Sequence, residues 1–268
     1  IGEKFIFGFQ RLSIQDLSKK ASQPMFTEDG MYSIMLNGEI YNFKELREDL
    51  KNKGFKFFSY SDTEVLLKGM ISEGIDFVNK CNGMFSFCFY NKKKNVSYIF
   101  RDRVGIKPLY YAKIKNKIIF SSEIPSILFL ENELKKLNHQ ALYSYFSYRY
   151  PINNQTFFKE IKSLEPGHLL IIKNEKIITK KYWDISRYFN LKKKNYSEGY
   201  YIEKLRELVK SAVKYQLISD ANVSSLLSGG LDSSILSALA SKESGKKFRA
   251  YTIGYKNNGY NEFDFAKT

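Results

Sequence analysis

Four strand-like runs, MFSFCFYN (84–91), NVSYIFRD (95–102), PLYYAKI (108–114) and KIIFSSE (117–123), follow one another with only short polar or Gly-containing turns between them. Parallel neighbours need a crossover of a dozen or more residues, so strands this closely spaced pair antiparallel. Near the end of the chain the order is different. A strand NVSSLL (222–227), the loop SGG, a helix from about Asp232 to Lys242 and a strand FRAYTIGY (248–255) form a βαβ unit, whose crossover suits a parallel pair. Two such architectures call for two domains, and 268 residues are enough for each to bury a core.

Upstream of the four strands, MYSIMLNGEIY (31–41) is apolar, partly alternating and rich in strand formers, so it reads as a buried strand closed by a tight turn at Asn37-Gly38. NFKELREDLKNKG (42–54) places Phe43, Leu46 and Leu50 on one helical face and ends at Gly54. A second helix opens with Ser61 and Glu64 at capping-box spacing and continues with Val65, Leu66 and Met70 at helical intervals. Helices set apart from antiparallel strands predict a layered α+β domain. HQALYSYFSYRY (139–150) reads as an aromatic helix, and PGHLLIIKNEKIITKKYWD (166–184) as a hairpin turning at Asn174-Glu175. ISRYFNLKKKNYSEGY (185–200) is polar and irregular, and a long amphipathic helix from about Tyr201 to Ile218 follows it. The expected division is therefore a first domain over 1–185, a linker over 186–200 and a second domain over 201–268.

The net charge of +15, from 43 basic against 28 acidic residues, raises nucleic acid as a partner. The lysines are nevertheless spread along the chain, and the runs Lys92–Lys94 and Lys192–Lys194 read as polar turns, which favours a solvated surface over a nucleic-acid face. Two cysteines, Cys81 and Cys88, are too few for a disulfide scaffold and lack metal-ligand spacing, so a reducing, cytoplasmic setting is expected. No stretch reaches the roughly 18 apolar residues of a membrane span.

SGGLDSS (228–234) carries the clearest chemistry. Gly229 and Gly230 leave backbone room for a phosphate, and the amides of the new helix face it with the dipole behind them. Ser228, Ser233 and Ser234 add hydroxyl donors. Asp232 would repel a phosphate unless a cation stood between them, which points to Mg2+ bridging Asp232 and a polyphosphate. A plain Gly-rich turn with Asp232 as a first-turn acid is the bland alternative. The lysine of the GxxxxGK[ST] loop is absent.

SGGLDSS resembles the loop of the ATP pyrophosphatases, which split ATP between its α- and β-phosphates. LNGEIYN (36–42), followed by SDTEVLL (61–67) and RDRVGIKPLYY (101–111) and preceded by RLSIQDLS (11–18), is similar to the glutaminase domain of glutamine-hydrolysing asparagine synthetases. The resemblance runs from about residue 8 to residue 268. It implies an α+β N-terminal-nucleophile glutaminase domain followed by the first βαβ unit of an α/β adenine-nucleotide α-hydrolase-like domain.

The roles it implies fall on named positions. Arg11 matches the arginine that binds the α-carboxylate of glutamine, and Glu39 and Asp62 match the acids around its α-ammonium. Asn37 and Gly38 match the oxyanion hole, and Leu12, Ser13, Ile14 and Gln15 match the backbone edge of the pocket. Leu227 and Ile253 match the adenine pocket, and Leu231 completes the ATP loop. The family's nucleophile is a cysteine at the mature N-terminus, which neither internal cysteine can replace. On that resemblance this chain is expected to be an internal fragment, inactive alone, of an enzyme using glutamine, aspartate and ATP with Mg2+; dimers occur in the family, which makes a homodimer one option that the sequence itself does not decide. Two alternatives stay open here: a related enzyme amidating another carboxylate such as a sugar acid, and a non-catalytic nucleotide- or nucleic-acid-binding protein. His139 and His168 match no site.

Overall fold

Alternation along each strand decides the layering of the molecule. The computed structural model describes residues 5–189, 191, 194–245, 247–254 and 262–267. They fall into two units, Ile1–Arg11 with Ser18–Leu191, and Leu12–Leu17 with Lys192–Thr268.

In the first unit the elements run β1 (Met25–Phe26), β2 (Tyr32–Ile40), α1 (Phe43–Asn52), α2 (Asp62–Glu73), β3 (Gly83–Asn91), β4 (Val96–Arg101), β5 (Tyr110–Ile114), β6 (Lys117–Ser121), α3 (Ile124–Leu130), α4 (His139–Tyr148), β7 (Lys162–Ser163), β8 (His168–Lys173), β9 (Lys176–Lys181) and α5 (Ser186–Phe189). Six strands form one sheet in the order β1-β2-β3-β4-β8-β9, and three form another in the order β6-β5-β7. Every pairing in both is antiparallel.

Met35, Cys88, Ile99 and Leu170 lie side by side across the large sheet and pack with Tyr111, Ile118 and Phe120 of the small one. The intervening residues Leu36, Phe87 and Phe100 turn to the opposite face, where Phe87 and Phe100 stack at 4.7 Å. There α2 packs on β2, and α1 on α2. On the far side of the small sheet, Ala112 and Ile119 meet Ile124, Ile127 and Leu128 of α3. The result is four layers, helix, sheet, sheet and helix, the expected layered α+β arrangement built from period-two strands.

The hairpin between β8 and β9 turns at Asn174 and Glu175, both at positive φ (49° and 62°), as a two-residue turn matched to strand twist requires. At Asn37-Gly38 the expected turn is absent. β2 continues through both residues to Ile40, paired with β3 along its whole length.

The second unit contains α6 (Glu198–Gln216), β10 (Ser224–Leu226), α7 (Leu231–Ser244), β11 (Arg249–Tyr251) and α8 (Phe263–Lys267). β10 and β11 pair parallel across α7, the expected βαβ unit. α6 starts three residues before the predicted Tyr201, because Ser197 caps it by accepting from Tyr200 N at 3.3 Å. Both α5 and the first turn of α6 fall within the stretch 185–200 that reads as irregular in sequence. Lys210 and Lys214 pair with Glu243, linking α6 to α7.

RDRVGIKP, residues 101–108, is shaped by two charges facing opposite ways. Asp102, 1% exposed, accepts from the backbone N–H groups of Phe85, Val104, Ile106 and Lys107 at 2.9–3.2 Å. Arg101 donates to the carbonyls of Lys107, Gly105 and Leu164 and to Ser163 Oγ. Replacing Asp102 by Ala leaves four amides to find new partners. Asp102→Ala should lower unfolding free energy by on the order of 3 kcal/mol in urea titrations; a loss below about 1 kcal/mol would show that the loop holds without its carboxylate.

Candidate active site

Asn37, Gly38 and Glu39 lie in the second half of β2, with Asn37 and Glu39 on one face and Gly38 on the other. Gly38 meets a steric demand. Its φ is 143°, and a Cβ there would overlap Met84 O and stand 2.7 Å from Phe85 Cα. Gly83 makes the reciprocal concession on β3, where a Cβ would overlap Glu39 O. The two strands therefore approach more closely here than side chains on both would allow.

Asp62, the first residue of α2, joins this stretch from the helix side. One carboxylate oxygen accepts from Ile40 N at 2.9 Å and the other from Thr63 N at 2.8 Å. Burial pushes the Asp62 carboxyl up to about 6, against the backbone N–H groups of Ile40 and Thr63, which favour the charged form. The turn that delivers Asp62 is gripped at both polarities. Buried Glu64 accepts from Phe58 N at 3.0 Å and from Ser59 N and Oγ at 2.7 Å each, and pairs with Lys68 at 2.8 Å. Arg47 donates to the carbonyls of Ser59 and Ser61 at 2.7 and 3.0 Å. The capping-box spacing suggests Glu64 on Ser61 N–H, but that amide is taken by Ser59 Oγ at 3.3 Å, and Glu64 reaches further back instead.

Glu39 is 8% exposed, and its Oε1 has no hydrogen-bond partner. Burial first, then the nearby charge of Asp62, hold its carboxyl above the usual range, while Lys107 pulls the other way. Tyr41 is pushed up to about 12 by burial, then by Glu39 and Asp102. Glu39, Asp62, Tyr41 and Lys107 thus share one electrostatic neighbourhood. Of these, Tyr41 and Lys107 lie inside motifs visible in the sequence, yet only the folded chain shows that Lys107 acts on Glu39 and Glu39 on Tyr41.

Arg11 is half-buried in the first unit, its guanidinium donating to Ser18 O at 3.4 Å. Leu12, Ser13, Ile14 and Gln15 belong to the second unit. Ile14 O accepts from Asp220 N at 3.0 Å, and the Asp220 carboxylate accepts from Asp16 N at 2.7 Å.

In that unit Leu227 and Ile253 follow the C-terminal ends of the parallel strands, Leu227 N donating to Tyr251 O at 2.8 Å. Gly229 has φ 82°, and a Cβ there would lie 2.8 Å from Ala266 N, so α8 covers the loop at this point. Gly230 caps α7 without a side-chain hydrogen bond, which leaves the helix start open to an anion. Ser228 Oγ and Ser233 Oγ stand 3.0 Å apart, and Ser234 N donates to Gly230 O at 3.0 Å. Asp232 and Leu231 are exposed in the first turn. Among the described residues no cluster of three metal-ligating side chains is present, so a divalent cation at Asp232 would need phosphate oxygens for its remaining ligands, as Mg2+ commonly does. No described helix is long and apolar enough to cross a membrane.

A family model described as a glutamine amidotransferase domain matches residues 1–183, and one described as asparagine synthase matches residues 204–268. The chain is 38% identical over 263 residues to glutamine-hydrolyzing asparagine synthetase 1 of Bacillus subtilis (strain 168), covering 97% of this chain and 40% of that protein. Synthetase 3 of the same organism is 34% identical, with 94% and 42% covered, and synthetase 2 is 38% identical, with 91% and 33% covered. The chain therefore spans about two-fifths of the length of the curated relatives it matches.

The raised carboxyl of Asp62 sets a pH signature. Between about pH 4 and 6 the folded chain holds a proton at Asp62 that the unfolded chain has released, so this group's contribution to stability falls as pH rises through that window and is flat above it. Comparing wild type with Asp62→Asn in urea titrations cancels the other groups. The difference should move in the variant's favour by on the order of 2 kcal/mol from pH 4 to pH 7; a pH-independent difference would place Asp62 in a solvated setting.

Proposed function

The chain belongs to the glutamine amidotransferase domain family, with an asparagine synthase segment behind that domain, and from that premise we propose that the intact protein makes asparagine from aspartate, with glutamine as nitrogen donor and ATP as the activating substrate. The observation that carries the glutamine half is the buried Glu39 oxygen without a partner, beside a second buried acid. Two carboxylates in one enclosed site repel each other until a cation is seated between them. The α-ammonium of glutamine is such a cation.

Around it, Arg11 would receive the α-carboxylate, since a guanidinium matches that group with two parallel hydrogen bonds. Leu12, Ser13, Ile14 and Gln15 would present backbone along the ligand. The Asn37 side-chain amide and Gly38 N–H would stabilise the oxyanion formed when the glutamine amide carbon is attacked, with Gly38 admitted because no side chain fits there. The attacking thiolate comes from neither internal cysteine: burial pushes the Cys81 thiol up to about 12 and that of Cys88 higher still.

In the second unit the open start of α7, with Gly229, Gly230 and the hydroxyls of Ser228, Ser233 and Ser234, would hold the phosphates of ATP, and Leu227, Leu231 and Ile253 would line its adenosine end. Mg2+ held by Asp232 and those phosphates would neutralise charge where ATP is cleaved. Ammonia from glutamine would displace AMP from the β-aspartyl adenylate, and pyrophosphate would already have left. A cytoplasmic, homodimeric enzyme follows from the family reading alone.

Incubated with aspartate, ATP and glutamine, the intact protein should release pyrophosphate and AMP together with asparagine and glutamate; ADP and phosphate as products would sink the proposal. Glu39→Gln removes the unpartnered charge and should raise KM for glutamine about tenfold, or ~1.4 kcal/mol, while leaving ammonia-supported synthesis unchanged. An unaltered KM would remove Glu39 from the binding site.

A further inference from the structure

Asn37, Gly38 and Glu39 form a three-residue bridge in β2, fixed at its far end by the hydrogen bond from Ile40 N to Asp62. The near end, Leu36, is fixed by a side chain from elsewhere. The β1–β2 ladder pairs Met25 with Ile34, and in that register Gln23 falls opposite Leu36. Pro24 intervenes, with no N–H to extend a ladder. The Gln23 side chain takes over the pairing: its Oε1 accepts from Leu36 N at 2.6 Å and its Nε2 donates to Leu36 O at 3.3 Å. Leu36 offers one donor and one acceptor, so only this orientation of the amide satisfies both.

The same Nε2 also donates to Thr63 Oγ1 at 3.3 Å, and Thr63 N donates to Asp62. A closed circuit results, running from Leu36 through Gln23, Thr63 and Asp62 to Ile40. It encloses the three residues to which the oxyanion and ammonium roles are assigned.

We infer that Gln23 is a positioning residue for glutamine hydrolysis, holding the Asn37 end of this bridge at the place where the oxyanion develops. The inference rests on the proposed glutaminase reading and deepens it. Gln23 touches no substrate; it acts through Leu36 on Asn37, while Asp62 acts through Ile40 on the Glu39 end. Loosening the Gln23 clamp should therefore weaken stabilisation of the transition state more than binding of the ground state.

The test uses the intact protein with Gln23→Met, which keeps the length and loses all three hydrogen bonds, and Gln23→Glu, which keeps only the acceptor for Leu36 N. Glutamine hydrolysis is followed as glutamate release, so the identity of the acceptor does not matter, and ammonia-supported pyrophosphate release is measured in parallel. Expected is a fall in kcat for hydrolysis of about tenfold or more in Gln23→Met and a smaller one in Gln23→Glu, with KM for glutamine within about threefold of wild type and the ammonia-supported rate unchanged. A kcat within about twofold of wild type, or equal losses in both reactions together with a lowered thermal midpoint, would overturn the positioning role. Wild-type protein that uses ammonia yet releases no glutamate from glutamine would fail differently: it would overturn the glutaminase reading itself, and the role of Gln23 with it.

Discussion

The hydrogen bond from Ile40 N to the Asp62 carboxylate is the contact through which helix and sheet share one site. A strand edge and a helix start each have backbone groups in need of partners, and here one acid serves both, taking Ile40 N with one oxygen and Thr63 N with the other. The cost is an enclosed acid whose proton is held to about pH 6. It is tolerated because the turn before it cannot relax: Glu64 grips its amides and Arg47 its carbonyls. Removing Glu64 would strand the amides of Phe58 and Ser59, and removing Arg47 the carbonyls of Ser59 and Ser61.

Loop 102–107 repeats that construction with its polarities on adjacent residues. Asp102 gathers backbone N–H groups and Arg101 gathers backbone carbonyls, so the chain can run an irregular path under the sheet without stranding polar groups. Both irregular segments around Glu39 are thus rigid for the same reason. Buried charge has been spent on shape, and Glu39, left with an oxygen that nothing in the described protein satisfies, stands out against that background.

The layered fold was legible because the strands of the first unit are short, alternating and closely spaced, and because the hairpin at Asn174-Glu175 opens with Asn174, a residue type that tolerates positive φ. α1 was legible through Phe43, Leu46 and Leu50, all buried. Asn37-Gly38 misled. The same dipeptide that closes hairpins elsewhere serves here as the gap in a continuous strand, and only the position of Met84 O tells the two apart. The partners of the site residues were less visible still. Arg47 and Asp102 read as ordinary polar positions and Glu64 as a capping-box acid, since a sequence does not record which charges are enclosed, and Gln23 sits thirteen residues from the backbone it completes.

The grouping of Leu12–Leu17 with the second unit bears on how the chain divides. Arg11 and Ser18 belong to one unit and the six residues between them to the other, where Ile14 and Asp16 meet Asp220. A chain that lost everything after residue 191 would leave Ile14 and Asp16 without Asp220. The division between the units is therefore not a single cut in the sequence: the second unit draws a six-residue segment from near the start of the chain, and residue 220 is where that segment is held.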